Sequence, residues 1–101
     1  MKNFQIKKQE FILNGSKISN KHSFFKEISE TIFPDFEWKN GYSFDVLSDI
    51  LEGGYGLINY QEKYAIRWQK FKSSQRKMDK QSLDEVLGIL NEEENIELIL
   101  E

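Results

Sequence analysis

Three short strand-like runs, set apart by stretches of helical periodicity, constrain this chain more than any other feature. The runs are Glu10-Phe11-Ile12-Leu13, Tyr64-Ala65-Ile66-Arg67-Trp68 and Ile96-Glu97-Leu98-Ile99-Leu100. Strands that alternate with helices predict an α/β domain. Each connection is long enough for a right-handed crossover, so the expected class is a three-stranded parallel sheet packed by about four helices. Asn14-Gly15 closes the first run as a turn. The third run is expected inside the sheet, because a terminal apolar strand at an edge invites aggregation.

The helices announce themselves by caps and spacing. Ser19 or Asn20 can cap a first helix whose Phe24, Phe25, Ile28 and Ile32 recur at helical intervals, and Pro34 stops it. Ser43 is a good cap for a second helix, and Gly53-Gly54 offers its left-handed termination. Lys70 to Met78 is weakly signalled as helical. A last helix is expected from about Ser82 to Glu93, with Ser82 as cap, Glu85 completing a capping box, and Leu83, Val86, Leu87 and Leu90 as the buried stripe.

A chain of 101 residues has room for one core. The expected organisation is an N-terminal extension over residues 1–9 and a single domain over residues 10–101. Cysteine is absent, which removes disulfides and thiolate metal sites. No apolar run approaches the roughly 18 residues of a membrane span, and the basic start Met1 to Gln9 lacks the apolar stretch of a signal peptide. A cytoplasmic protein without membrane contact is expected.

Few residues offer catalytic chemistry. His22 is the one histidine, so an imidazole triad or a usual zinc site has little to build on, and neither metal nor cofactor is implied. Gly53-Gly54-Tyr55-Gly56 follows a helix, whereas a phosphate loop precedes one. A non-enzymatic role is expected.

Charge is more informative than chemistry. The net charge of -3 conceals four blocks: residues 1–34 carry +3, 35–62 carry -5, 63–81 carry +6, and 82–101 carry -7. On a helical wheel, Phe44, Leu47, Ile50 and Leu51 fall in one arc of the second helix, and Asp45, Asp49 and Glu52 fall together in another. Asp45 gains from the helix dipole, whereas Asp49 and Glu52 lie too far along to do so. The like-charge pair Asp45 and Asp49 costs a few tenths of a kcal/mol that nothing on this helix offsets. Phe36, Trp38, Tyr42 and Phe44 surround the start of the helix with side chains that interfaces favour. Acids flanked by aromatics suit a basic, phosphate-binding surface on a partner.

The run Gly41-Tyr42-Ser43-Phe44-Asp45-Val46-Leu47-Ser48-Asp49-Ile50-Leu51, after a helix ending in Phe33-Pro34, resembles the signature of the barstar family. There a glycine, an asparagine, an apolar residue and an aspartate open the second helix, and another aspartate follows four residues on. Ile12-Leu13-Asn14-Gly15, Ile18-Ser19-Asn20, Ile66-Arg67-Trp68 and the stretch from Leu83 to Leu100 agree in the same order, so the resemblance covers about residues 10–100. It implies an inhibitor, bacterial and cytoplasmic, that acts as an immunity protein or antitoxin against a secreted or toxin ribonuclease. It also implies that Asp49 takes a phosphate subsite of the enzyme, with Asp45, Phe44, Gly53 and Glu92 as further partner contacts. Ser43 stands where the family prefers asparagine, Ser48 replaces an aromatic contact, and a short insertion precedes Gly41. Trp38 or Tyr42 is then expected to supply the missing aromatic. The implied partner is a basic ribonuclease, barnase-like or another toxin nuclease, with no direct nucleic-acid binding and a monomer when free.

The main competing expectation is a single-stranded nucleic-acid-binding module. Its basis is the segment from Arg67 to Lys77, which interleaves cations with Trp68 and Phe71.

Overall fold

The computed structural model describes residues 9–53 and 63–101. Strand β1 (Gln9–Asn14) is followed by a 3-10 turn (Gly15–Lys17), helices α1 (Lys21–Ile32) and α2 (Phe44–Gly53), strand β2 (Tyr64–Gln69), helices α3 (Phe71–Lys77) and α4 (Lys80–Glu92), and strand β3 (Ile96–Leu100). The three strands form one parallel sheet in the order β1-β2-β3. Among the described residues the predicted α/β class, with three parallel strands and four helices, is what is observed.

Register explains the two faces of the sheet. Phe11, Ile66 and Leu98 are in register, as are Leu13, Trp68 and Leu100, so these residues share one face. Phe11, Leu13, Ile66 and Trp68 are buried there with Phe24, Phe25 and Ile28 of α1, Leu47 and Leu51 of α2, and Leu83, Val86 and Leu90 of α4. The opposite face carries Ile12, which is 50% exposed, beside Arg67 and Ile99. Arg67 reaches Glu10 of β1 at 3.3 Å and Glu101, the residue after β3, at 2.9 Å.

Two expectations need correction. β3 lies at an edge of the sheet, and β2 is central. Tyr64, Ala65, Ile66 and Trp68 make β2 the strand with the most continuous burial, which suits the position flanked on both sides. β3 and its flanks carry the acids Glu94 and Glu97, and charged residues in an edge strand disfavour edge-to-edge pairing. The second correction concerns α4, which starts at Lys80 with Asp79 as its cap. The Asp79 carboxylate accepts a hydrogen bond from the Ser82 backbone N–H at 2.9 Å, and Ser82 therefore lies inside the first turn. An aspartate at this place adds a favourable charge at the positive end of the helix dipole, which a serine does not. These bonds hold the Asp79 carboxyl below its ordinary range.

The other caps lie where the spacing put them. Asn20 caps α1 in a reciprocal box with Ser23, and α1 ends at Ile32, ahead of Pro34. The Ser43 hydroxyl accepts a long bond from the Val46 N–H at 3.4 Å at the start of α2. The expected glycine termination of α2 reaches Gly53, and Gly54 lies outside the described residues, as do the rest of the Gly53 to Gly56 run and residues 1–8.

One buried hydroxyl ties α3 to the sheet. Ser74 is fully buried; its Oγ accepts from Trp68 Nε1 at 3.0 Å and donates to the Gly15 carbonyl at 2.8 Å. Ser74→Ala is expected to cost about 1–3 kcal/mol, because it leaves the indole N–H and the carbonyl without a partner in the core. Urea unfolding of the two proteins checks this; a change too small to resolve would mean that water replaces the hydroxyl.

Candidate functional site

The acid stripe of α2 forms as the spacing requires. Leu47, Ile50 and Leu51 are buried, while Asp45, Asp49 and Glu52 are all exposed on the other side of the same helix. Among the described residues, none of the three forms an ion pair. Three like charges without a counter-charge create a local negative potential, and the carbonyl end of α2 adds to it near Glu52.

The aromatic residues before α2 form a half-buried cluster with α1. Tyr42 stacks on Phe25 with ring centroids 5.0 Å apart, and Phe44 meets the same ring at 5.0 Å. Trp38 packs edge-on against Phe25, Phe36 and Tyr42, and its Nε1 donates to Ser29 Oγ at 3.0 Å. Trp38 is thus oriented by α1. With Phe36, Gly41 and Val46 it lines a cleft of about 570 Å³ beside the acid stripe. Gly41 takes a left-handed φ of +81° in this turn, a conformation that glycine adopts at little cost.

Glu92 lies exposed at the last residue of α4 and lines a shallow notch with Glu52, Glu93, Glu94 and Asn95. The structure thereby brings the ends of α2 and α4 together and extends the acid surface from one helix to two. Glu93 is a member that spacing along the chain did not single out. Its carboxylate accepts from Ser48 Oγ at 3.4 Å, a contact across 45 residues that no local pattern announces. Ser48, which stands where the family has a contact aromatic, therefore faces Glu93 just past the end of α4.

Partial burial, reinforced by the Glu52 and Glu92 carboxylates, raises the Glu93 pKa above its ordinary value. Burial, with Glu93 adding to it, likewise holds the Tyr64 phenol well above its usual range, and among the described residues the buried Tyr64 hydroxyl has no hydrogen-bond partner. A carboxyl whose pKa is raised on folding binds more protons in the native state. Its contribution to stability is thus present in acid and is lost as pH rises through the native pKa. Glu93→Gln is accordingly expected to raise the melting temperature at neutral pH and to change it little in acid. Calorimetry across pH checks this, and equal effects at both ends would contradict it.

The basic segment gives a different result from the one its composition suggests. Trp68 and Phe71 are in the core, so the alternation of cation and aromatic in residues 67–77 is an alternation of outside and inside. Lys70, Lys72, Arg76 and Lys77 face outward, but no aromatic face in the segment is available for a base to stack on.

Among the described residues no cluster of His, Cys, Asp or Glu is arranged to hold a metal ion, and no helix is long and apolar enough to cross a membrane. The model of one protein family, described as barstar (barnase inhibitor), matches residues 8–97. No curated protein matches the chain.

Proposed function

The chain belongs to the barstar (barnase inhibitor) family, and from that membership we propose that it blocks a basic ribonuclease by offering Asp45, Asp49 and Glu52 to the cations that grip RNA phosphate. The observation that carries the mechanism is the exposure of these three carboxylates on one face of α2 without a described counter-ion. Asp49 stands one turn beyond Asp45 and one turn before Glu52, at the middle of the stripe. Its carboxylate takes the place of the scissile phosphate. Asp45 and Glu52 engage cations on either side.

The remaining contacts follow from position. Phe44 and Gly53 bound the stripe at the two ends of α2, Trp38 and Tyr42 flank its start, and Glu92 on α4 widens the negative surface. An arrangement of this kind attracts a basic partner before contact, so association should be fast at low salt and slow as salt screens the field. It repels nucleic acid from the same face.

Titration against barnase, and against other basic ribonucleases, tests the proposal. RNA cleavage should fall to zero near one inhibitor per enzyme, and the association rate should drop steeply as ionic strength rises. Full activity of every such enzyme in excess inhibitor would sink the reading.

A further inference from the structure

We propose that the carboxyl end of the sheet binds the phosphate backbone of nucleic acid through the exposed cations Lys17, Lys70, Lys72, Arg76, Lys77 and Lys80. This goes beyond the inhibitor reading, in which the acids of α2 and α4 take part, and it departs from the expectation of no direct nucleic-acid contact. The fold brings the six together. The 3-10 turn follows β1 directly and α3 follows β2, so both leave the same end of a parallel sheet. The Ser74 hydroxyl joins them by its bond to the Gly15 carbonyl at 2.8 Å, and α4 starts at Lys80, just after α3. Lys17 thereby comes beside a basic segment that lies far away in the chain.

The outer face of α3 offers charge and little else. Phe71 and Ser74 turn inward with Met78 at the end of the helix, while Lys72, Arg76 and Lys77 are exposed on the other side. Among the described residues none of the six cations forms an ion pair. Two nearby acids are already engaged: Asp79 accepts from the Ser82 N–H at 2.9 Å, and Glu101 pairs with Arg67 at 2.9 Å. The result is a positive region on a chain whose net charge is -3. What this region lacks decides its partner. Protein interfaces centre on aromatic and apolar side chains and are poor in lysine. Helices that lie on membranes need an apolar face to bury in lipid. Here five of the six cations are lysine, and Phe71 and Met78 belong to the core. No ring is presented to a base either, so the contacts are with phosphates, and RNA and DNA duplexes are held alike.

Fluorescence anisotropy of a short labelled RNA duplex, titrated with the full chain, tests the proposal. The duplex should bind at low salt, and affinity should fall about 100-fold or more between about 50 and 200 mM salt, as roughly four phosphate contacts require. A DNA duplex of the same sequence should bind comparably. Lys72→Gln with Arg76→Gln should weaken binding by about tenfold or more and flatten the salt slope by roughly two. Lys39→Gln with Lys63→Gln removes as much charge from exposed positions away from this end of the sheet, and should change affinity by less than about threefold. Both pairs are exposed, so the melting temperatures should stay close to the parent's. No binding at low salt, equal losses from the two double variants, or tighter capture of polyglutamate or phosphatidylserine vesicles than of the duplex would overturn the proposal. No nuclease takes part, so this surface can fail while Asp49 still inhibits, and inhibition can fail while the duplex still binds.

Discussion

Asp49→Ala is expected to weaken inhibition by about 2–5 kcal/mol or more, roughly 30-fold at the least, whereas Glu92→Ala should act mainly on the association rate. The difference comes from desolvation. In the proposed complex the Asp49 carboxylate sits at the centre of the stripe, surrounded by enzyme cations and shut away from water. Its removal leaves those cations buried without a partner. Glu92, at the end of α4, stays at the rim, where solvent replaces it cheaply. Folding should be spared, because Asp49 is exposed, forms no described ion pair, and repels Asp45 one turn away. Inhibition constants and association rates at two salt concentrations distinguish the variants. Small, equal losses from both would remove Asp49 from the centre of the mechanism.

Gly15→Ala should be among the most damaging single changes to the fold, at about 3 kcal/mol or more. A Cβ on Gly15 would collide with the carbonyl oxygens of Gln69 and Lys70 and lie 2.7 Å from the Lys70 carbonyl carbon. All three are backbone atoms, so no side-chain rotation relieves the overlap. The segment that must move is the end of β2 and the left-handed Lys70, whose φ is 55°. From there the backbone of Phe71 donates to the Glu101 carbonyl, and the Gly15 carbonyl itself receives the Ser74 hydroxyl. Relief of one clash thus disturbs β2, α3 and the packing around Trp68 together. For a domain of this size the melting temperature should fall by roughly 12 °C or more. Thermal unfolding checks this; a fall of a degree or two would mean that the turn can open without cost.

Much of this was legible along the chain because the forces concerned act over a few residues. The spacing of Phe24, Phe25, Ile28 and Ile32 places one face of α1 in the core without reference to anything else. The acid stripe needs only that residues 44–53 be helical, since Asp45, Asp49 and Glu52 then share a face by geometry. Local signals failed where two residues could do the same work. Asp79 and Ser82 are both capping residues, and the choice rests on how the chain leaves Met78, which is buried and extended at the end of α3. Composition failed in residues 67–77 for a related reason. Trp68 and Phe71 next to lysines look like a binding strip until the core claims both rings.

The amino-acid order by itself determined the elements, the caps of α1 and α2, the parallel class of the sheet and the negative face of α2, since periodicity and most capping are settled within a turn or two of backbone. The tertiary structure alone decided that β2 is the central strand, that Ser48 meets Glu93, that Gly15 lies against the backbone of residues 69–70, and that the ends of α2 and α4 form one acidic surface. Each of these joins residues far apart in the chain. Their approach depends on how all the apolar faces pack at once, and no window of neighbouring residues contains that information.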